Sequence, residues 1–109
     1  MIGLWKGAYY MIKLRFCSDT KHDVCAFLEK RFQKDVEKWI EEQCTGLLFD
    51  SMDYPCDMAF CYDCYFVCEG AEEQAILQMK QIWCDTALEK EHIFLEIYKI
   101  NEVWEEEKV

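Results

Sequence analysis

Residues 9–16, YYMIKLRF, alternate in character: Tyr10, Ile12, Leu14 and Phe16 fall on one side, Lys13 and Arg15 on the other. A period of two with one apolar side marks a strand with one face buried. The polar run CSDTKHD follows, with Ser18, Asp19 and Thr20 as candidate N-caps. Beyond it, Cys25, Leu28, Phe32, Val36, Trp39 and Ile40 recur at helical spacing. That stripe predicts one amphipathic helix of about six turns, ending near Cys44, Thr45 and Gly46. Residues 46–57, GLLFDSMDYPCD, read as a short strand at 47–49 and a loop built on Asp, Ser and Pro55. In 58–68, MAFCYDCYFVC, the even positions from Met58 to Cys68 form one face of a strand. Ala59, Cys61, Asp63, Tyr65 and Val67 form the other, and Glu69 and Gly70 end it. A second helix is expected over 71–88, with Ile76, Met79, Trp83 and Ala87 as its stripe. Glu72 and Glu73 lie in its first turn, where carboxylates suit the helix dipole. The last strand, 92–100, aligns Ile93, Leu95 and Ile97, and an acidic tail at about 102–109 closes the chain.

The order β-α-β-β-α-β predicts an α+β fold in one domain spanning 1–109. It is the order of a ferredoxin-like sandwich, with two helices on one face of a four-stranded antiparallel sheet. Without the short strand at 47–49, a three-stranded arrangement would remain. The face turned from the helices would carry Tyr9, Met11, Tyr65, Val67, Phe94 and Tyr98 beside Lys13, Arg15, Asp63 and Glu96. So mixed a face predicts a covered or contacted surface, a homodimer through the open sheet face among the choices. Trp5 and Trp104 are placed to help cover it.

Composition narrows the class. With 109 residues, 52% of them hydrophobic, one proline and four glycines, the chain has material for a real core and little for linkers. The N-terminal segment lacks an apolar h-region and a small-residue cleavage site, and no apolar run is long enough to span a bilayer. A cytoplasmic protein with reduced cysteines is the expectation.

Charge changes the picture more. The net charge is −10, and residues 39–79 contain no Lys or Arg while carrying nine acids. Those acids are Glu41, Glu42, Asp50, Asp53, Asp57, Asp63, Glu69, Glu72 and Glu73. Carboxylates repel phosphate, so direct binding to nucleic acid or an anionic membrane is disfavoured. The same acids suit docking on a basic surface of a larger protein, one that normally holds DNA or RNA, with Tyr54 and Tyr65 as anchors. In size and charge the chain resembles small acidic inhibitors of nucleic-acid-processing machines, such as phage anti-CRISPR or anti-restriction proteins.

Eight cysteines open a second line of chemistry. Cys56, Cys61, Cys64 and Cys68 have spacings found in iron–sulfur and zinc sites. No glycine lies between them to fold a loop around an ion, and on a strand Cys61 and Cys64 face opposite ways. Packing cysteines are therefore expected, with a metal protein as an alternative and no cofactor assigned. His22 and His92 sit at element ends, and no phosphate-binding, dinucleotide-binding or hydrolase motif occurs. The leading expectation is a non-enzymatic binding protein. A homodimeric small-molecule sensor is the other alternative.

Overall fold

The computed structural model describes residues 9–55, 60–101 and 103–109. Strand β1 (Tyr9–Ser18) is followed by helices α1 (Val24–Phe32) and α2 (Val36–Gln43), then strands β2 (Leu47–Asp53) and β3 (Cys61–Glu69). Helix α3 (Glu72–Thr86) leads through a 3₁₀ turn (Leu88–Glu91) to β4 (Ile93–Ile100) and a short β5 (Glu106–Lys108). The five strands make one antiparallel sheet in the order β2-β3-β1-β4-β5, so the fold is α+β.

Alternation along the strands decides which side chains meet the helices. Ile12, Leu14 and Phe16 of β1, Tyr62, Cys64, Phe66 and Cys68 of β3, and Ile93 and Ile97 of β4 all enter one apolar cluster. The helices supply Val24, Leu28, Val36, Ile40, Ile76, Met79 and Trp83 to the same cluster. Phe16 packs on Trp83 with ring centroids 5.3 Å apart, which ties the central strand to α3. β1 is central because it alone pairs with both β3 and β4.

The long first helix is corrected by the structure: it breaks at Gln33, whose φ of 59° closes α1 in the left-handed region. Asp35 then opens α2 from an extended conformation. The apolar stripe runs straight across this break. Phe32 and Trp39 stack face to face over it, with centroids 3.9 Å apart, so periodicity alone hides it. The cap of α1 is Asp23, whose Oδ1 accepts the Ala26 N–H at 3.0 Å. Ser18, expected as a cap, instead ends β1 and accepts the N–H groups of Thr20 and Lys21 in the turn.

Two further expectations change. β2 runs to Asp53 rather than stopping at Phe49, because a bulge at Asp50 absorbs one residue and lets Ser51–Asp53 pair on. The acidic tail is partly strand: Glu106, Glu107 and Lys108 add β5 alongside Ile100, Lys99 and Tyr98.

Ala87 stops α3 with a φ of 58°, a conformation that costs roughly 1–2 kcal/mol for an L side chain. Ala87→Gly is accordingly expected to raise stability by about 0.5–1 kcal/mol in urea unfolding. A variant less stable than the parent would show that the Ala87 methyl does more than strain the turn.

Burial pushes up the thiols of Cys25, Cys44, Cys64 and Cys68, the last to about 11. Their unfolded counterparts ionise near 8.5, so above that pH the native state holds more protons than the unfolded one. The stability these protonated thiols contribute is complete below about pH 8.5 and declines as pH rises above it, the share of Cys68 being lost as pH passes through about 11. Urea midpoints measured with a reductant at pH 7, 8, 9 and 10 should fall continuously above pH 8.5; a flat profile would contradict this.

Candidate functional site

The sheet face opposite the helices carries the odd positions of β1 and β3. Arg15 and Asp63 are direct cross-strand partners. The guanidinium grips the carboxylate at two points, Nε to Oδ1 at 2.8 Å and Nη2 to Oδ2 at 2.9 Å. Lys13, two residues away on the same face, places Nζ 3.8 Å from Asp63 Oδ2 and also donates to Glu106 Oε1 of β5. Its ammonium lies over the Tyr98 ring, 4.4 Å from the centroid. Tyr98 donates in turn to Glu96 at 2.6 Å, and Lys108 reaches the other Glu96 oxygen at 3.3 Å.

Lys13 is 2% exposed and Asp63 1%, so these charges lie within the protein rather than on it. Met11 and Ile100, on the same face, are buried as well. The hydrogen bond to Asp63 and the adjacent negative charge raise the Arg15 guanidinium above its ordinary range, against the opposing effect of burial. The hydrogen bond from Tyr98 lowers Glu96, and the same bond pushes Tyr98 up to about 12.

This geometry redistributes the expected acidic surface. Asp63 is spoken for by Arg15 and Lys13. Glu42 pairs with Lys34, while Glu72 and Glu73 both meet Lys99 of β4. Glu41 accepts the Phe49 N–H at 2.7 Å and pins β2 to α2. Tyr65 is half-buried on the face of Asp63, and Asp57 lies outside the described residues. The segment without bases therefore draws its counterions from β1, β4 and the α1–α2 turn.

Asp50, Asp53 and Glu69 remain exposed, and among the described residues no basic side chain bridges any of them. Asp50 and Asp53 stand on β2, an edge strand, with Leu48 45%, Met52 41% and Tyr54 44% exposed beside them. The Tyr54 ring packs on Tyr62 at 5.2 Å. Its hydroxyl is pushed above the phenol range first by a hydrogen bond with the Cys25 thiol and then by burial. The end of β2 is thereby anchored to α1, while one side of the Tyr54 ring stays in solvent.

The cysteine segment does not gather at a point. Cys64 and Cys68 face the helices and Cys61 the opposite side, while Cys56 lies outside the described residues. Among the described residues no group of three Cys, His, Asp or Glu side chains converges as metal ligands do. Cys61 instead meets Cys17, its cross-strand partner, with the sulfurs 2.7 Å apart. Burial, then the contact with Cys61, raises the Cys17 thiol, the reverse of an activated nucleophile.

Between α3 and β4 lies a cavity of about 250 Å³ lined by Lys80, Trp83, Cys84, Glu89 and Ile97 among others. His22 and His92 are both exposed and neither lines that cavity; His92 Nδ1 lies 3.3 Å from Asp19 Oδ1. No helix among the described residues is long and apolar enough to cross a membrane. No protein-family model matches the chain, and comparison with curated proteins and with solved structures finds no relative.

Lys13 and Glu106 were not among the expected site residues. Lys13 and Arg15 could be placed together on one face from β1 alone. The register that sets Asp63 beside Arg15, and β5 beside Tyr98, had no local signal. If the buried charges depend on one another, removing the shared acid should do most damage. Asp63→Ala is expected to cost about 3–5 kcal/mol in urea unfolding, since it leaves two cations without their common partner. Lys13→Met should cost about half as much or less, because Arg15 keeps its two-point hold on Asp63. Equal losses would refute that ordering.

Proposed function

We propose that this chain is a non-enzymatic binding protein that docks its β2 edge and the neighbouring acids on a basic, nucleic-acid-binding surface of a larger protein. The reading places the fold with ferredoxin-like sandwiches that carry an extra strand. It is supported by the order β2-β3-β1-β4 with antiparallel pairing throughout, β5 being an addition at the β4 edge. The broken first helix departs from the simplest form of that arrangement.

One observation carries the functional reading. β2 is a sheet edge whose exposed residues, with Tyr54 directly after it, mix apolar and acidic types: Leu48, Asp50, Met52 and Asp53. Buried aromatic or aliphatic anchors surrounded by polar groups are the usual energetic centre of an interface. Carboxylates at the rim speed approach to a basic partner and disfavour phosphate-rich or acidic ones. The bulge at Asp50 twists the edge and discourages pairing with another strand, so recognition would run through side chains rather than through sheet extension. Glu69 and the net charge of −10 add a long-range field of the same sign.

Binding to purified nucleic-acid-processing enzymes, followed by surface plasmon resonance, tests the proposal. A true partner should bind more weakly as salt rises, and nucleic acid should compete. Asp50→Lys combined with Asp53→Lys should weaken binding about tenfold or more, mainly through slower association. The melting temperature should stay nearly unchanged, since both side chains are exposed. A partner held equally well by the charge-reversed variant, at low and high salt alike, would overturn the proposal.

A further inference from the structure

The pair Cys17 and Cys61 plays no part in the proposed docking surface, and its geometry is specific. The two residues are register partners on adjacent antiparallel strands, at the end of β1 and the start of β3. Next to them the Ser18 N–H donates to the Phe60 carbonyl at 2.9 Å. In an antiparallel ladder hydrogen-bonded and non-hydrogen-bonded pairs alternate, so the 17/61 pair is of the second kind. There the Cα atoms approach to about 4.5 Å and the side chains are closest. That separation lies at the near end of the range a disulfide spans. Both side chains are half-buried on the sheet face away from the helices, and their sulfurs are 2.7 Å apart.

We infer that Cys17 and Cys61 form a modification site: a dithiol that a low-molecular-weight disulfide, of the glutathione disulfide class, converts reversibly into a cross-strand disulfide. One protein thiolate attacks a sulfur of the small disulfide, breaks its S–S bond and expels one thiol, leaving a mixed disulfide on the protein. The second protein thiolate then attacks the protein sulfur of that bond and expels the second small thiol. The two protons lost by the cysteines are taken up by the two expelled thiolates. Two protein thiols are oxidised and one small disulfide is reduced. The raised Cys17 thiol slows the first attack. The second step is intramolecular, between atoms already held together, and so outruns release of the mixed disulfide.

The bond would close a loop between residues 44 positions apart and lock the β1–β3 register where β3 begins. By contrast Cys25, Cys44, Cys64 and Cys68 are buried, and Cys84 stands alone at the surface of α3.

The native chain, equilibrated with mixtures of glutathione and its disulfide and then alkylated, tests the inference by peptide mapping. The expected product is a single species in which Cys17 and Cys61 are linked and Cys84 remains alkylated. Its melting temperature should rise by about 10 °C and return on reduction. Cys17→Ser should abolish the linkage and leave a glutathione adduct on Cys61, whereas Cys84→Ser should leave the linkage intact. Both variants are checked for native circular dichroism, and the wild-type map stands without them. Absence of the linkage in the folded wild-type chain at the most oxidising mixture, or linkage of Cys17 and Cys61 no more frequent than of other cysteine pairs, would overturn it.

Discussion

A lysine on the central strand, withdrawn from water, is the constraint around which the outer face of this sheet is arranged. An ammonium with 2% exposure is tolerable only if acids meet it within a few ångströms, because the uncompensated cost of burying such a charge is several kcal/mol. Lys13 finds Glu106 from β5, Asp63 from β3 and the π-face of Tyr98 from β4. Each partner arrives on a different strand. The register of β3 against β1, the pairing of β5 on β4 and the order of the sheet thus meet at one ammonium. Asp63 in turn serves Arg15, so the two cations of β1 share one carboxylate.

This shared carboxylate changes how the charge of the molecule is read. Along the chain, residues 39–79 are a block of nine acids without a base. In space, four of them, Asp63, Glu42, Glu72 and Glu73, are paired with cations, and Glu41 accepts a backbone N–H from the neighbouring strand β2. Among the described residues, the block's exposed acids without a basic partner are Glu69, at the very end of β3, and the two on β2. β2 is a sheet edge, and its Asp50 and Asp53 are left outward with apolar neighbours. The proposed docking surface is accordingly smaller than the acidic segment, and more apolar.

Legibility followed the range of the interaction. The alternation of Ile12, Leu14 and Phe16 against Lys13 and Arg15 is local, and it named both faces of β1 correctly. The same holds for Cys64 and Phe66 against Asp63 in β3, and for the stripe Ile76, Met79, Trp83 in α3. The break at Gln33 was hidden because neither glycine nor proline marks it, and because Phe32 and Trp39 preserve the stripe across it. β5 was hidden for a different reason: EEK has no strand character of its own and is ordered by Tyr98, Lys99 and Ile100. Contacts such as Lys13 with Glu106, at a separation of 93 residues, depend on register and leave no trace in a window of a dozen residues.

The sulfur of β3 follows the same logic. A strand offers its side chains alternately to two solvents, here a packed interior and a charged outer face. Cys64 and Cys68 fall on the inner side, where a thiol packs as a small apolar group and its proton is held by burial. Cys61 falls on the outer side, three residues from Cys64 yet in a different chemical environment. What gives Cys61 a role beyond packing is its register position opposite Cys17. The C-x-x-C spacing, which suggests a chelate or a redox pair within one segment, is incidental to the fold. The pair that lies in contact joins two strands, and only the β1–β3 ladder creates it. Oxidation there would hold the same register that Arg15 and Asp63 hold electrostatically two residues further along, so the two interactions reinforce one alignment of the central strands.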